Sequence, residues 1–178
     1  MTTVTPLARH VLDTLRPIPN YPKPGIIFQD ITPVLRDGHL LRTIVEAMAE
    51  PFADLDVTHV IGIEARGFIL GGAVATSLGA GFVPARKPGK LPWERVSESY
   101  ELEYGRDALE CHRDGLPAPA RVLIVDDVLA TGGTARAAGQ LARGLGAELV
   151  GWSFLLEIAG LGGLEKLTGA PTRVIARR

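Results

Sequence analysis

Short apolar runs alternate along this chain with segments in which apolar residues recur every three or four positions. The runs are typical of buried parallel strands, which are predicted at 59–63, 82–85, 122–125, 148–156 and 172–176. The segments between them predict helices at about 5–15, 37–50, 68–78, 135–145 and 162–167. Strands that alternate with helices indicate an α/β fold in which helices flank a parallel sheet.

The region before the first of these strands carries start signals for two helices. Thr5 followed by Pro6 is typical of an N-cap with proline at the first helical position, and Asp37 is placed to cap the second helix. Between the two helices, repeated prolines predict an extended loop over 17–25, followed by a short apolar piece at 26–28. We therefore expect an irregular, mostly extended segment to precede the sheet.

One long segment departs from the alternation of strand and helix. Residues 86–96 are basic and interrupted by proline and glycine, which predicts a loop. Apolar and acidic residues then alternate over 97–104, with Glu101 and Glu103 on one face, and 107–113 can form a return arm. This pattern predicts a half-exposed strand or hairpin that lies outside the core. Taken alone it is an ordinary solvated hairpin, but beside an anion site it could close over a substrate.

Composition restricts the classes of protein to consider. With 178 residues, 46% of them hydrophobic, the chain suits one domain with a full core. Its net charge of −1 argues against binding to nucleic acid or to anionic membranes. Cys111 is the single cysteine, which excludes an intrachain disulfide and favours a packed thiol in a reducing compartment. No apolar stretch is long enough for a signal peptide or a membrane helix, so a cytoplasmic location is expected.

The richest chemical pattern is VLIVDDVLATGGT at 122–134. The predicted strand ends in two adjacent carboxylates, Asp126 and Asp127, and a small polar turn then leads into a helix. Glycine in such a turn lets backbone N–H groups approach an anion at the helix N-terminus. The alternative is a capping turn, but two adjacent acids after a buried strand are costly unless something binds there. The glycine patterns of P-loop and dinucleotide-binding proteins are absent.

A second turn, EARG at 64–67, also follows a predicted strand. Its guanidinium and closely approachable backbone suit a diphosphate, whereas the alternative is a surface turn with a solvated Arg66. The four histidines are scattered, so a built-in zinc site is not expected. Any metal should arrive bound to a phosphate ligand and should not be held directly by protein side chains, which suggests Mg²⁺.

The segment 122–134 closely resembles the phosphoribosyl pyrophosphate (PRPP) motif of type I phosphoribosyltransferases. Four further motifs resemble the adenine phosphoribosyltransferase family, namely YPKPGIIF at 21–28, EARGF at 64–68, RKPGKLP at 86–92 and LEYG at 102–105. The resemblance extends from about residue 20 to residue 157. It implies one domain, 1–178, that carries a small N-terminal hood at about 17–36 and a flexible lid hairpin at about 86–105.

The resemblance also implies an activity: transfer of phosphoribose from PRPP to N9 of adenine with Mg²⁺, giving AMP and pyrophosphate in purine salvage. By resemblance, Asp126 and Asp127 take the ribose hydroxyls, and Glu103 is the catalytic lid carboxylate that handles the purine N7 proton. The implied phosphate ligands are Ala130, Thr131, Gly132, Gly133 and Thr134 for the 5′-phosphate and Arg66, Lys87 and Lys90 for the diphosphate. Family members commonly form homodimers, and their EARG turn often contains a non-proline cis peptide.

The hood strip Ile27, Phe28 and Gln29 is implied to line the base, with Phe28 stacking on it. The family usually has arginine where this chain has Gln29. Adenine offers one donor and one acceptor on adjacent atoms, which the backbone of an extended segment can match. We therefore predict that the backbone of this strip, and not the Gln29 side chain, reads the base.

Two other classes of protein remain open at this point. A phosphoribosyltransferase for hypoxanthine, xanthine or orotate would share 122–134 but should lack the YPKPG hood and the LEYG lid. A regulator on the same fold would need a DNA-binding appendage. The roughly 20 residues before the hood are too few for a winged helix, and no basic recognition helix is visible.

Overall fold

Helices and strands alternate along most of the chain, as the apolar pattern predicts. A computed structural model describes residues 4–102 and 105–178, and describes only the backbone of 101, 102 and 105. The helices are α1 (Pro6–Thr14), α2 (Thr32–Arg36), α3 (Gly38–Ala49), α4 (Gly67–Leu78) and α5 (Gly133–Gly144). The strands are β1 (Arg16–Pro19), β2 (Ile27–Asp30), β3 (His59–Ile63), β4 (Gly81–Ala85), β5 (Arg95–Leu102), β6 (Gly105–His112), β7 (Arg121–Leu129), β8 (Glu148–Glu157) and β9 (Thr172–Arg177).

The central sheet is parallel, and its strand order is β4-β3-β7-β8-β9. Successive residues of β7 face opposite layers, because side chains alternate along a strand. Leu123 and Val125 join the core formed with α1 to α4, whereas Val122 and Ile124 join the core formed with α5. The predicted α/β fold class, a parallel sheet flanked by helices, is confirmed.

Local signals placed the first and third helices correctly. The side-chain oxygen of Thr5 accepts from the backbone N–H of Ala8 at 3.1 Å, and Asp37 accepts from two backbone N–H groups at the start of α3. Each cap satisfies N–H groups that have no partner inside a helix. None of the helices in the described residues is both long and apolar enough to cross a bilayer.

The hairpin β5–β6 is more buried than its sequence pattern predicts. Tyr100, Leu109 and Cys111 are buried and belong to the core that contains α5. The expectation that this segment lies outside the core is therefore wrong. The physical reason is the alanine-rich face of α5, where side chains such as Ala137 and Ala138 are too small to cover the sheet alone.

The extended loop predicted over 17–25 is partly a strand. β1 pairs with β2 in an antiparallel sheet, although its sequence RPIP contains two prolines. The pair is held by Arg16, whose guanidinium lies 2.5 Å from the carboxylate of Asp30. The backbone N–H of Thr32, together with Arg16, lowers the pKa of Asp30 to about 2. This two-stranded sheet and α2 occupy the stretch predicted as the hood.

Candidate active site

The carboxyl ends of β3 and β7 bring together two of the sequence motifs. Nε of Arg66, in the turn after β3, donates to the carboxylate of Asp127 on β7. These residues are 61 positions apart, and adjacent parallel strands place them side by side. The side chain of Asp127 is 8% exposed, so a buried carboxylate is paired with a guanidinium that is 38% exposed. The site therefore contains an ion pair with its cationic side toward solvent.

The predicted end of the strand at the acidic pair is wrong, because β7 continues to Leu129. The neighbouring strand β8 extends equally far and pairs with it, Val128 opposite Leu156 and Leu129 opposite Glu157. The two acids therefore lie within a strand. Oδ1 of Asp126 accepts from the backbone N–H of Asp127 at 2.9 Å.

The two acids have different electrostatic environments. Burial, together with the adjacent charge of Asp127, raises the pKa of Asp126 well above its ordinary value, and Arg66 offsets this only in part. The charged form of a buried carboxyl is costly unless a cation or hydrogen-bond donors lie beside it. The pair is thus arranged to gain from a ligand that brings hydroxyl groups or a cation.

The loop after β7 forms a depression of about 80 Å³ at the start of α5. It is lined by Asp126, Val128, Leu129, Ala130, Thr131, Gly132, Gly133, Thr134 and Ala135. Gly132 has a φ of 78°, which favours glycine, and α5 begins at the next residue. The first N–H groups of a helix have no partner within it, so they can bind an anion here. The five residues predicted for the 5′-phosphate therefore share one concave surface.

Arg66 also connects this surface to the stretch predicted as the hood. Its Cζ lies 5.2 Å from the centre of the Phe28 ring, a cation–π distance. Ile27 is 60% exposed, Phe28 is half-buried, and Tyr21 packs edge-on against Phe28 with 5.3 Å between ring centres. The peptide bond between Glu64 and Ala65 is cis, as the resemblance implies.

Lys87 lies two residues after the end of β4, and its side chain is paired with Asp107. Its ammonium contacts the carboxylate of Asp107 and lies 2.6 Å from the hydroxyl of Tyr100. Burial opposes the positive charge of Lys87, but these hydrogen bonds outweigh it and raise the pKa of its ammonium. Tyr100 and Asp107 are directly opposite each other in the β5–β6 hairpin, so the hairpin provides both partners.

Glu64 forms hydrogen bonds with the basic segment 86–90. Its carboxylate accepts from the backbone N–H of Lys87 at 2.9 Å and from the guanidinium of Arg86 at 3.3 Å. Burial disfavours the charged carboxylate, but these bonds and the nearby charge of Lys90 lower the pKa of Glu64 overall. Lys90 is exposed and its backbone carbonyl accepts from Arg86 at 3.0 Å. The turn that carries Arg66 is thus connected through Glu64 to the segment that carries Lys87 and Lys90.

Comparison with known proteins identifies the family of this chain. The phosphoribosyl transferase domain matches residues 34–162. The adenine phosphoribosyltransferase of Myxococcus xanthus is 54% identical over 165 residues, which cover 93% of this chain and 90% of the relative. The adenine phosphoribosyltransferase structure from Rhodothermus marinus has a TM-score of 0.93 at 48% identity, covering 97% of this chain and 98% of that one. The chain belongs to the adenine phosphoribosyltransferase family.

A third member of this family was solved with ligands. The enzyme of Saccharomyces cerevisiae, in complex with an imino-altritol bisphosphate and adenine, has a TM-score of 0.88 at 40% identity, covering 95% of this chain and 98% of that one. The stretch predicted as the hood, about 17–36, lies largely before residue 34, where the matched domain begins. Phe28 lies outside the matched domain and Arg66 lies within it, so their contact joins the two parts of the chain.

Gln29, where the resemblance leads us to expect arginine, is a buried residue. Its Nε2 donates to the backbone carbonyl of Ile27 at 3.3 Å, and its Oε1 has no hydrogen-bond partner among the described residues. The side chain thus contacts one carbonyl of the strip predicted to read the base, and that oxygen has a second lone pair that can accept another hydrogen bond.

Glu103, the predicted catalytic residue, lies outside the described residues, and its role stays a prediction. Across residues 4–102 and 105–178, no cluster of three or more His, Cys, Asp or Glu side chains is arranged to hold a metal. The sequence analysis assigned no site role to Glu64, Tyr100, Arg86 or Asp107. The role of Glu64 could have been recognised because Glu64 is the first residue of the EARG turn. The contact of Asp107 with Lys87 depends on the register of the hairpin, and no local sequence signal predicts it.

Proposed function

We propose that the protein transfers the phosphoribosyl group of PRPP to N9 of adenine and releases AMP and pyrophosphate. The observation that carries the proposal is the convergence of a carboxylate pair, a helix N-terminus and Arg66 at one edge of the sheet, beneath Phe28. These groups match the ribose hydroxyls, 5′-phosphate, diphosphate and base of the two substrates. Membership of the family supports the same reaction.

The chemistry asks the protein to hold two substrates in line while charge separates. As the bond from C1′ to the diphosphate breaks, positive charge develops on the ribose and negative charge on the leaving group. Asp126 and Asp127 would hold the ribose through its hydroxyls, and the N-terminus of α5 would hold its 5′-phosphate. Arg66, Lys87 and Lys90 would neutralise the diphosphate. The ion pair of Arg66 with Asp127 would then mark the boundary between the ribose and diphosphate subsites.

Magnesium dependence is part of the proposal. Two carboxylates beside the proposed diphosphate cations are already paired, since Asp127 binds Arg66 and Asp107 binds Lys87. This arrangement fits Mg²⁺ that arrives bound to PRPP, with Asp126 as the available protein oxygen nearby. The metal would add positive charge beside the leaving diphosphate.

The small sheet β1–β2 would act as the hood and the hairpin β5–β6 as the lid of a single domain. Glu103, which follows β5 in the sequence, could serve the N7 proton. By family resemblance we further propose a homodimer that works in the cytoplasm, without nucleic-acid or membrane partners.

The prolines of β1 give a physical reason why the backbone of β2 could read adenine. In an antiparallel pair, residues alternate between hydrogen-bonded and non-bonded positions. Pro17 and Pro19 lie opposite Gln29 and Ile27, and neither proline has an N–H to donate. This favours bonded positions at Ile18 and Phe28, so the backbone groups of Ile27 and Gln29 would point away from β1.

We expect the protein with PRPP and Mg²⁺ to convert adenine to AMP and to leave hypoxanthine and guanine nearly unused. The proposed strip pairs a backbone carbonyl with the exocyclic amine of adenine. Hypoxanthine and guanine carry a carbonyl at that position, so two acceptors would face each other and buried polar groups would stay unpaired. The test is a nucleobase panel with the nucleotide products separated by chromatography. Turnover of hypoxanthine within about tenfold of adenine would contradict the proposed substrate, because a matched polar site should discriminate more strongly.

Gln29 provides a test of the backbone proposal. Gln29→Ala should change KM for adenine by less than about tenfold, since one neutral hydrogen bond contributes roughly 1 kcal/mol. Gln29→Pro should be far worse, because proline removes the backbone donor and fixes φ. Steady-state kinetics would measure both, and circular dichroism would confirm that each variant is folded. A hundredfold loss from Gln29→Ala would instead assign a strong direct contact to the side chain.

A further inference from the structure

The turn that follows β8 makes a backbone contact with the loop at the start of α5. We refer to residues 160–166 as the Gly163 turn. A Cβ atom on Gly163 would lie well inside contact distance of the Ala130 carbonyl oxygen and 3.1 Å from Cγ of Leu129. In the other direction, a Cβ atom on Gly132 would lie 2.7 Å from the carbonyl oxygen of Gly163. The two backbones therefore touch with no room for a side chain between them.

Position 163 requires glycine because there is no room for a side chain, and not because of its backbone conformation. Gly163 has φ −64° and ψ −43°, which any residue adopts readily. Gly132 differs, because its φ of 78° also favours glycine. A substitution at Gly163 therefore tests the contact alone, without backbone strain at the substituted residue.

The Gly163 turn is itself anchored to the core. The carbonyl of Gly163 accepts from the backbone N–H of Lys166 at 3.2 Å and opens a short 3-10 turn. Leu167, just after it, is buried in the core that contains α5. At the other end, the backbone N–H of Ile158 donates to the carbonyl of Leu129 at 2.9 Å. Fixed at both ends, the turn cannot retreat easily from the loop it touches.

We infer that Gly163 is a positioning residue for the 5′-phosphate, acting through the conformation of residues 130–132. The inference rests on the proposed function, since it takes the start of α5 as the phosphate site. The loop must present its backbone N–H groups to the phosphate oxygens, and hydrogen bonds weaken steeply when misaligned. The contact sets the position of the Ala130 carbonyl and thus the peptide planes that follow it. Gly163 lies one residue beyond the part of the chain that matches the phosphoribosyl transferase domain.

The test is Gly163→Ala, with the affinities of ribose 5-phosphate and pyrophosphate measured separately by calorimetry. The added methyl group should displace the loop and weaken ribose 5-phosphate binding by at least about tenfold, the scale of an overpacked contact. Pyrophosphate affinity should stay within about twofold, because its proposed cations Arg66 and Lys87 have partners that do not include the turn. Gly144→Ala, at the open far end of α5, is the control and should change neither affinity.

Three results would overturn the inference. One is Gly163→Ala binding ribose 5-phosphate as wild type does, and another is an equal loss of both ligands together with a lowered melting temperature. If the variant does not fold, the inference is tested by amide hydrogen exchange of the wild-type protein with and without ribose 5-phosphate. Ribose 5-phosphate should then slow exchange in 158–167 as well as in 130–136, and protection of 130–136 alone would be the third overturning result. Failure of the proposed function would appear separately, as no AMP formed by the wild type.

Discussion

Replacing Asp126 and Asp127 together with asparagine should lower kcat/KM by about 10²–10⁴-fold, because hydrogen bonds to charged groups contribute roughly 1.5–3 kcal/mol each. The substitution keeps the shape of both side chains but removes the negative charge that would hold the ribose hydroxyls. It also breaks the ion pair of Asp127 with Arg66 at the boundary between the proposed subsites. Steady-state kinetics with PRPP varied at saturating adenine would measure the loss.

The single variant Asp126→Asn should lose activity without losing stability. The pKa of Asp126 is raised in the folded protein, so its charged form costs stability at any pH at which it is ionised. At neutral pH the neutral amide removes that cost, and the melting temperature should equal or exceed that of wild type. Below about pH 4 the carboxyl is protonated in both states, so the advantage should vanish.

Asp54 and Asp56 provide a matched control for the double variant. Both are exposed and lie before β3, away from the carboxyl edge of the sheet. Replacing them with asparagine makes the same change in net charge and should leave kcat/KM unaltered. Equal losses from the two double variants would show that the active-site carboxylates act only through the overall charge of the protein.

Glu103→Leu should reduce kcat by roughly 10²–10⁴-fold, the usual contribution of a general acid or base. The affinity for PRPP should change little, because Glu103 is not one of the proposed PRPP ligands. The same change at Glu101, two residues earlier in an alternating segment, should have only a mild effect. Single-turnover kinetics would separate the chemical step from binding and product release.

The pH dependence of the same variant adds a second check. If Glu103 handles the N7 proton, its loss should remove one limb of the kcat profile as well as the rate. An equal loss in the Glu101 and Glu103 variants would assign the lid acids a general electrostatic or folding role. Retention of the full profile with reduced kcat would also argue against proton transfer by Glu103.

Where local signals agree, the sequence predicted the fold closely. Asp37 and the apolar spacing behind it define α3, and the apolar run at 59–63 coincides with β3. The failures have a common cause, which is pairing with a distant segment. β1 was missed because prolines favour a loop until β2 supplies a partner, and β7 runs past the acidic pair because β8 continues beside it.

The candidate site was predictable only in part for the same reason. The start of α5 is encoded in one contiguous motif, so its glycines and threonines could be named from the sequence. The pairing of Arg66 with Asp127 joins residues 61 positions apart and requires the strand order. Asp107 reaches Lys87 only because hairpin register sets it opposite Tyr100. The contact of Gly163 with Ala130 likewise depends on two strands that end at the same level.

The buried position of Cys111 makes the protein convenient for site-specific labelling. The thiol is fully enclosed, and burial raises its pKa to about 12, so almost no thiolate is present at neutral pH. Maleimides and spin labels should therefore leave the native chain unmodified. A cysteine placed at Trp93, which is 64% exposed in the segment before β5, would be the only reactive thiol. A fluorophore or nitroxide there would test whether the proposed lid moves as each substrate binds.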